Sequence, residues 1–160
     1  MTFSDWLLAL HVLSAFAWVA ALVIYAVVVA AGWGLSVPSD VIRMFRVSRV
    51  GDALIAIGMM GTIIFGIWLA IDLDAYQVWD GWIITALVLW LVAGAVGGQT
   101  GKVYNGARDR ARALVDEGRN EPSPELNAML RSQRGLVLLT LMILVVLALL
   151  VVMIYKPGAG

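Results

Sequence analysis

The chain has no cysteine, a single histidine and four prolines in 160 residues, and only 14% of its residues are charged. The lack of cysteine excludes disulfides, zinc–thiolate centres and iron–sulfur clusters. One histidine excludes a bis-histidine haem built within one chain. Eleven basic residues balance eleven acidic ones. The electrostatic footprint of a nucleic-acid binder is therefore missing, and no nucleic-acid partner is expected. What the chain does have is hydrocarbon: 62% of residues are hydrophobic and the mean hydropathy is +0.92. Soluble domains are about half apolar and a quarter charged. A small domain buries only part of its surface, so a soluble chain of this size could not hide so much apolar area. The first partner to expect is the lipid bilayer.

Charges divide the chain into four uncharged stretches, of 34 residues after Asp5, 19 after Asp52, 21 after Asp80 and 21 after Arg134. A helix needs about 20 apolar residues to cross a bilayer. The pattern predicts spans near 6–32, 53–72, 81–102 and 135–155, joined by long linkers at 34–52 and 103–134. The apolar run near the start is far longer than the roughly 7–15 residues of a signal core and has no basic flank, so it is expected to stay as a helix. Nine of the eleven basic residues lie in the two linkers, Lys102 borders the second of them, and only Lys156 lies elsewhere. Asp5, Asp72, Asp74 and Asp80 lie at the opposite ends of the spans. The positive-inside rule then places both linkers in the cytoplasm and both termini outside, with Trp79, Trp82 and Tyr155 in the outer aromatic belt. The expected fold is all-α, a four-helix transmembrane bundle, N-out/C-out, forming one domain over 1–160.

The linkers carry local signals. Pro38-Ser39-Asp40 reads as a helix start with Ser39 or Asp40 as N-cap. Arg43, Arg46 and Arg49, spaced by three with Met44, Phe45 and Val47 between them, suggest a helix lying on anionic lipid headgroups. The simpler reading is a plain basic flank of a membrane span, which the positive-inside rule alone accounts for. Span three should continue into the cytoplasm to about Glu117, with Gly118 as its C-cap. Ser123 should then cap, and Pro124 should open, a helix leading into span four. This makes a cytoplasmic helical extension between helices three and four.

His11 lies six residues into span one, about 9 Å along the axis. Ser14, Trp18 and, more loosely, Tyr25 share its face. An ionisable side chain facing lipid is costly, so this polar face should point into the bundle. Depth selects Phe65, Trp68, Thr85 and Met153 as its partners. His11 is a candidate for holding haem, quinone or copper or for carrying a proton. It is equally a candidate for an interhelical hydrogen bond that only fixes packing. Among the methionines, Met153 is nearest to it in depth, so a His/Met haem b remains open, and a soft His/Met site could also take Cu(I). No catalytic group and no metal centre are assigned.

Span three carries Gly94/Gly98 and Gly97/Gly101, two small-xxx-small pairs, and span two carries Gly58, Gly61 and Gly66. Such residues let membrane helices approach closely. Two backbones are expected to meet at the glycine face of span three, either against span two or in a homo-oligomer. Gln99 and Thr100 could bond across helices at that end or meet water. No span contains an internal charge or proline, which argues against a channel or transporter built from one chain.

Leu10-His11-Val-Leu-Ser-Ala-Phe-Ala-Trp18-Val-Ala and Val152-Met153-Ile-Tyr-Lys156-Pro157-Gly158 resemble a family of small bacterial integral membrane proteins of unknown function, with four helices and a Met-x-x-Lys-Pro close. That resemblance implies a bacterial inner-membrane location and no activity. The His11…Trp18-Val-Ala-Ala-Leu segment is also distantly similar to helix one of the haem-dependent membrane protoporphyrinogen oxidases and to copper-resistance membrane domains. The oxidases follow a later tryptophan with histidine and lysine. Here the matching stretch reads Trp82-Ile-Ile-Thr85-Ala86, so only His11 carries over as a ligand. The expected role is a structural or accessory component that self-associates or joins a larger membrane complex. The alternative is a haem- or quinone-linked oxidoreductase, or a copper-handling protein, using His11.

Overall fold

A computed structural model describes residues 2–73, 77 and 79–157. Asp74 and Gly158 lie outside these described residues. The described chain is all helical: α1 (Phe3–Gly32), α2 (Pro38–Asp72), α3 (Gly81–Asp116), α4 (Pro124–Leu130) and α5 (Gln133–Tyr155). Four helices are long and apolar enough to cross a membrane: α1, α2, α3 and the α4–α5 segment.

Local chemistry sets the helix ends. Thr2 caps α1, accepting from the Asp5 N–H while the Asp5 carboxylate accepts from the Thr2 N–H. This is a reciprocal capping box. The start of α2 differs from the expectation. Pro38 occupies the first turn, so the cap falls on Val37, and neither Ser39 nor Asp40 caps. Proline's fixed φ and missing N–H suit that position. The Ser39 N–H instead donates to the Asn120 side chain. From Pro38 the helix runs unbroken to Asp72, so the basic stretch is the first part of α2 and not a separate surface helix. Gly51 alone does not break it, because one interior glycine costs only about 1 kcal/mol. Val41 and Phe45 are buried against Tyr104, Leu126 and Leu130, while Arg46 and Arg49 stay exposed.

The end of α3 is a Schellman motif. Gly118 has φ +73°, its N–H donates to Val115 O, and the Arg119 N–H donates to Leu114 O. Glu117 is the cap itself and Gly118 the residue after it. Ser123 caps α4 with Pro124 in its first turn. The chain then breaks at Arg131, and Ser132 starts α5 by accepting from the Gly135 N–H. The connection into span four is therefore two helices, where one was expected.

The spans form two antiparallel hairpins, α1 with α2 and α3 with α5, joined along α2 and α3. The closest seam is α1 on α2. A Cβ at Gly58 would fall 2.5 Å from Trp18 N and 2.8 Å from Ser14 O. A Cβ at Gly61 would collide with the Ser14 hydroxyl. Three apolar clusters stack along the bundle. One at the linker end centres on Phe45, Tyr104 and Leu126, one at mid-bundle on Trp18, Met142 and Val146, and one at the terminal end on Ala70, Trp82 and Ile83.

The linker end is clasped by polar contacts. The Asn127 amide donates to Trp33 O and Leu35 O, Arg131 Nε donates to Trp33 O, and the Ser123 N–H donates to Ser36 O. These bonds satisfy the carbonyls of the cap residue Trp33 and of Leu35 and Ser36 in the loop that follows α1. Leu126 and Leu130 close over the same place, each contributing roughly 1.5–3 kcal/mol through burial.

Candidate functional site

His11 sits where α2 offers it a notch. Its Nδ1 lies 2.9 Å from the backbone oxygen of Thr62. Gly66 is one helical turn beyond Thr62, and a Cβ there would fall 2.9 Å from His11 Nδ1 and Cε1. The missing side chain at Gly66 thus uncovers the Thr62 carbonyl and makes room for the imidazole. A carbonyl oxygen can only accept, so Nδ1 carries the proton and, in the neutral ring, Nε2 carries the lone pair. No protein group among the described residues hydrogen-bonds Nε2.

The ring borders a cavity of about 720 Å³ at the terminal half of the bundle. Ligand pockets span about 300–1,000 Å³. Trp82, Ile83, Ala86 and Trp90 of α3 form one wall, and Leu149 and Met153 of α5 form another. Thr62, Gly66 and Ala70 of α2 and His11, Ala15 and Val19 of α1 complete it. Ser4, Asp5 and Lys156 are its polar rim. Lys156 is the C-cap of α5, and its ammonium lies 5.5 Å from the centre of the Trp82 ring.

The other residues of the expected polar face serve packing. Ser14 is buried and donates to Leu10 O at 2.7 Å. Trp18 is buried in the mid-bundle cluster, and its indole N–H has no hydrogen-bond partner among the described residues. Tyr25 meets Tyr104 edge-on, with ring centres 6.3 Å apart. Of the partners chosen by depth, Met153 lines the His11 cavity. Trp68 is 49% exposed and meets Phe3 edge-on, and Thr85 is exposed and donates to Gly81 O. Phe65 lies beside Gly61. Trp82 is buried, unlike Trp79 and Tyr155, which are exposed. The sequence reading has no place for Thr62, and it takes Gly66 only as a small residue for helix approach, not as the notch for His11. Their signal is a glycine four residues after a residue whose carbonyl a facing polar side chain can reach.

The glycines of α3 line a second, smaller cavity of about 240 Å³ toward the linker end, with Tyr25, Asp52, Thr100 and Asn105. No helix backbone presses on them. A Cβ at Gly94 would meet the methyl end of Met59 and one at Gly97 the methyl end of Met142, while one at Gly98 would meet nothing within 4 Å. A Cβ at Gly101 would reach only the Asn105 amide, at 3.9 Å. The backbone-on-backbone approach expected at this face occurs within the bundle at α2 instead. Thr100 is buried and bonds its own helix at Val96 O, and Gln99 is exposed. Among the described residues, no group of three or more histidines, cysteines or carboxylates could hold a metal ion.

No protein-family model, curated protein or solved structure matches the chain, so the resemblances drawn from its motifs stand on those motifs alone.

Proposed function

We propose that the chain is a multi-pass protein of a bacterial inner membrane that binds a lipophilic molecule through one hydrogen-bonding head group at His11. The termini and the His11 cavity lie on the outer side, and the linkers, with Arg43, Arg46 and Arg49 at the headgroups, lie in the cytoplasm. One observation carries this reading: the single histidine, fixed in one tautomer by Thr62, borders a cavity of about 720 Å³ whose walls are otherwise almost all apolar. A quinol or a long-chain alcohol fits such a site, since its hydroxyl can donate to Nε2. The assembly role rests on the uncharged spans, the glycine faces and the lone histidine; of these, the histidine borders the cavity and so also supports binding.

A short-tailed ubiquinol analogue should quench the tryptophan fluorescence of the detergent-purified protein, because Trp82 and Trp90 line the cavity. Saturable quenching in the wild type, lost in His11→Leu, supports the reading. Equal quenching in both proteins sinks it.

A second reading, haem b, has its own support. Fixing Nδ1 on a backbone carbonyl is how ligating histidines are commonly oriented. Met153 lines the same cavity as a second donor, and Lys156 at the rim suits a propionate. A Soret band in the purified protein that disappears in His11→Ala would select haem over quinol.

A further inference from the structure

Resting on the reading of the His11 cavity as a ligand site, we infer that its occupant is a single-tailed amphiphile. It enters sideways from the bilayer between α1 and α5, with its head at His11 and its tail left among the lipids.

The cavity has one loosely closed side. At the terminal end each hairpin is tied within itself. The Ser4 hydroxyl donates to Asp72 and Phe3 meets Trp68, binding α1 to α2, while Lys156 over Trp82 binds α5 to α3. By contrast α1 and α5 scarcely touch. The cavity's lining shows the same asymmetry. On α3 the lining residues Trp82, Ile83 and Ala86 are buried. On the facing edges, Leu8 and Phe16 of α1 are 50% and 68% exposed and Ile154 of α5 is 73% exposed, although all three line the cavity. The wall at α3 is closed, and the lips at α1 and α5 face hydrocarbon.

The occupant follows from the chemistry of the two ends. Inside, Nε2 offers one acceptor, which calls for one hydroxyl donor. At the lips every side chain is apolar, which calls for a hydrocarbon tail. A tail cannot leave by the terminal end without crossing Ser4, Asp5 and Lys156 into water, where each exposed methylene is unfavourable. A prenylated quinol or a fatty alcohol has this form. A compact water-soluble ligand would have no use for the lateral gap.

The test compares two quinols with the same head, one with a ten-carbon tail and one with only a methyl group, in protein reconstituted into nanodiscs. The wild type should bind the tailed quinol at least tenfold more tightly than the other. Leu150 of α5 lines the cavity opposite the α1 edge that carries Leu8, and because the chain has no cysteine, a short bismaleimide can join Leu8→Cys/Leu150→Cys with no competing thiol. Joining the lips should slow uptake of the tailed quinol at least tenfold relative to the same variant left unjoined. Equal affinity for the two quinols in the wild type overturns lateral entrance while leaving His11 as the head-group site. Unchanged uptake after joining does the same. Binding of neither quinol to the wild type overturns the ligand reading itself, and this inference with it.

Discussion

Two helices of this bundle are rich in glycine and use it in opposite ways. On α2, Gly58 and Gly61 bring the helix against the backbone and the short Ser14 side chain of α1, and Gly66 admits the His11 ring. On α3, Gly94 and Gly97 receive the flexible ends of Met59 and Met142, and Gly98 faces open space. Both stretches read alike as small-residue motifs. What separates them is the partner. A helix can press its backbone into a notch only if the facing residues are themselves short or directed aside, as Ser14 and the Trp18 backbone are. Methionine, unbranched and mobile, fills a notch without requiring close approach.

Substitutions at the glycines sharpen this contrast. The largest effect should come from Gly58→Val. Its Cβ alone meets backbone atoms that nothing but a shift of α1 can relieve, so the bundle should lose about 3 kcal/mol, the upper part of the range for overpacking. Unfolding in mixed detergent micelles measures it, and a loss below about 1 kcal/mol would break the contrast on the α2 side. Gly66→Ala should cost less, about 1–2 kcal/mol, since it displaces one ring and its hydrogen bond. The single histidine gives a clean readout. Nitrogen-15 spectra of histidine-labelled protein should show a protonated Nδ1 in the wild type, and Gly66→Ala should change that signal.

On α3 the effects should be small. Gly94→Ala asks only that the Met59 methyl swing aside, and should stay within about 0.5 kcal/mol of the wild type. Gly98→Ala should be the mildest, neutral or slightly stabilising, because the added methyl meets nothing and alanine favours helix. A melting curve in detergent separates it from Gly58→Val at once. If Gly98→Ala instead splits an oligomer in native mass spectra, another copy of the chain covers that glycine.

The four helices were legible because the uncharged stretches and the bilayer thickness fix them together. The end of α3 and the cap of α4 were legible because Gly118, Ser123 and Pro124 act locally. The α2 cap falls earlier than either Ser39 or Asp40 allows because Pro38 takes the first turn itself, and the partner of the Ser39 N–H, Asn120, is remote in sequence. His11 was legible as a polar group that must avoid lipid. Its partner was not, because a backbone carbonyl leaves no side-chain signature. The surface-helix expectation for residues 41–49 missed Val41 and Phe45, whose burial depends on Leu126 and Leu130 from the far side of the chain. Single-helix patterns show which positions are apolar. Whether lipid or protein covers them is settled by elements that arrive later.

The clasp at the linker end sets an order of events during biosynthesis. It joins Trp33 and Leu35 to Asn127 and Arg131, which lie 92 to 98 residues further along the chain. At a synthesis rate of about 5–20 residues per second, those carbonyls emerge roughly 5–20 s before their partners exist. The α1–α2 hairpin, with its own tight seam, is complete well before then. Insertion can therefore begin with a hairpin that stands by itself. The clasp can close as soon as residues 123–131 appear, before α5 has been made, so it latches the start of α4 onto the first hairpin ahead of the pairing of α3 with α5.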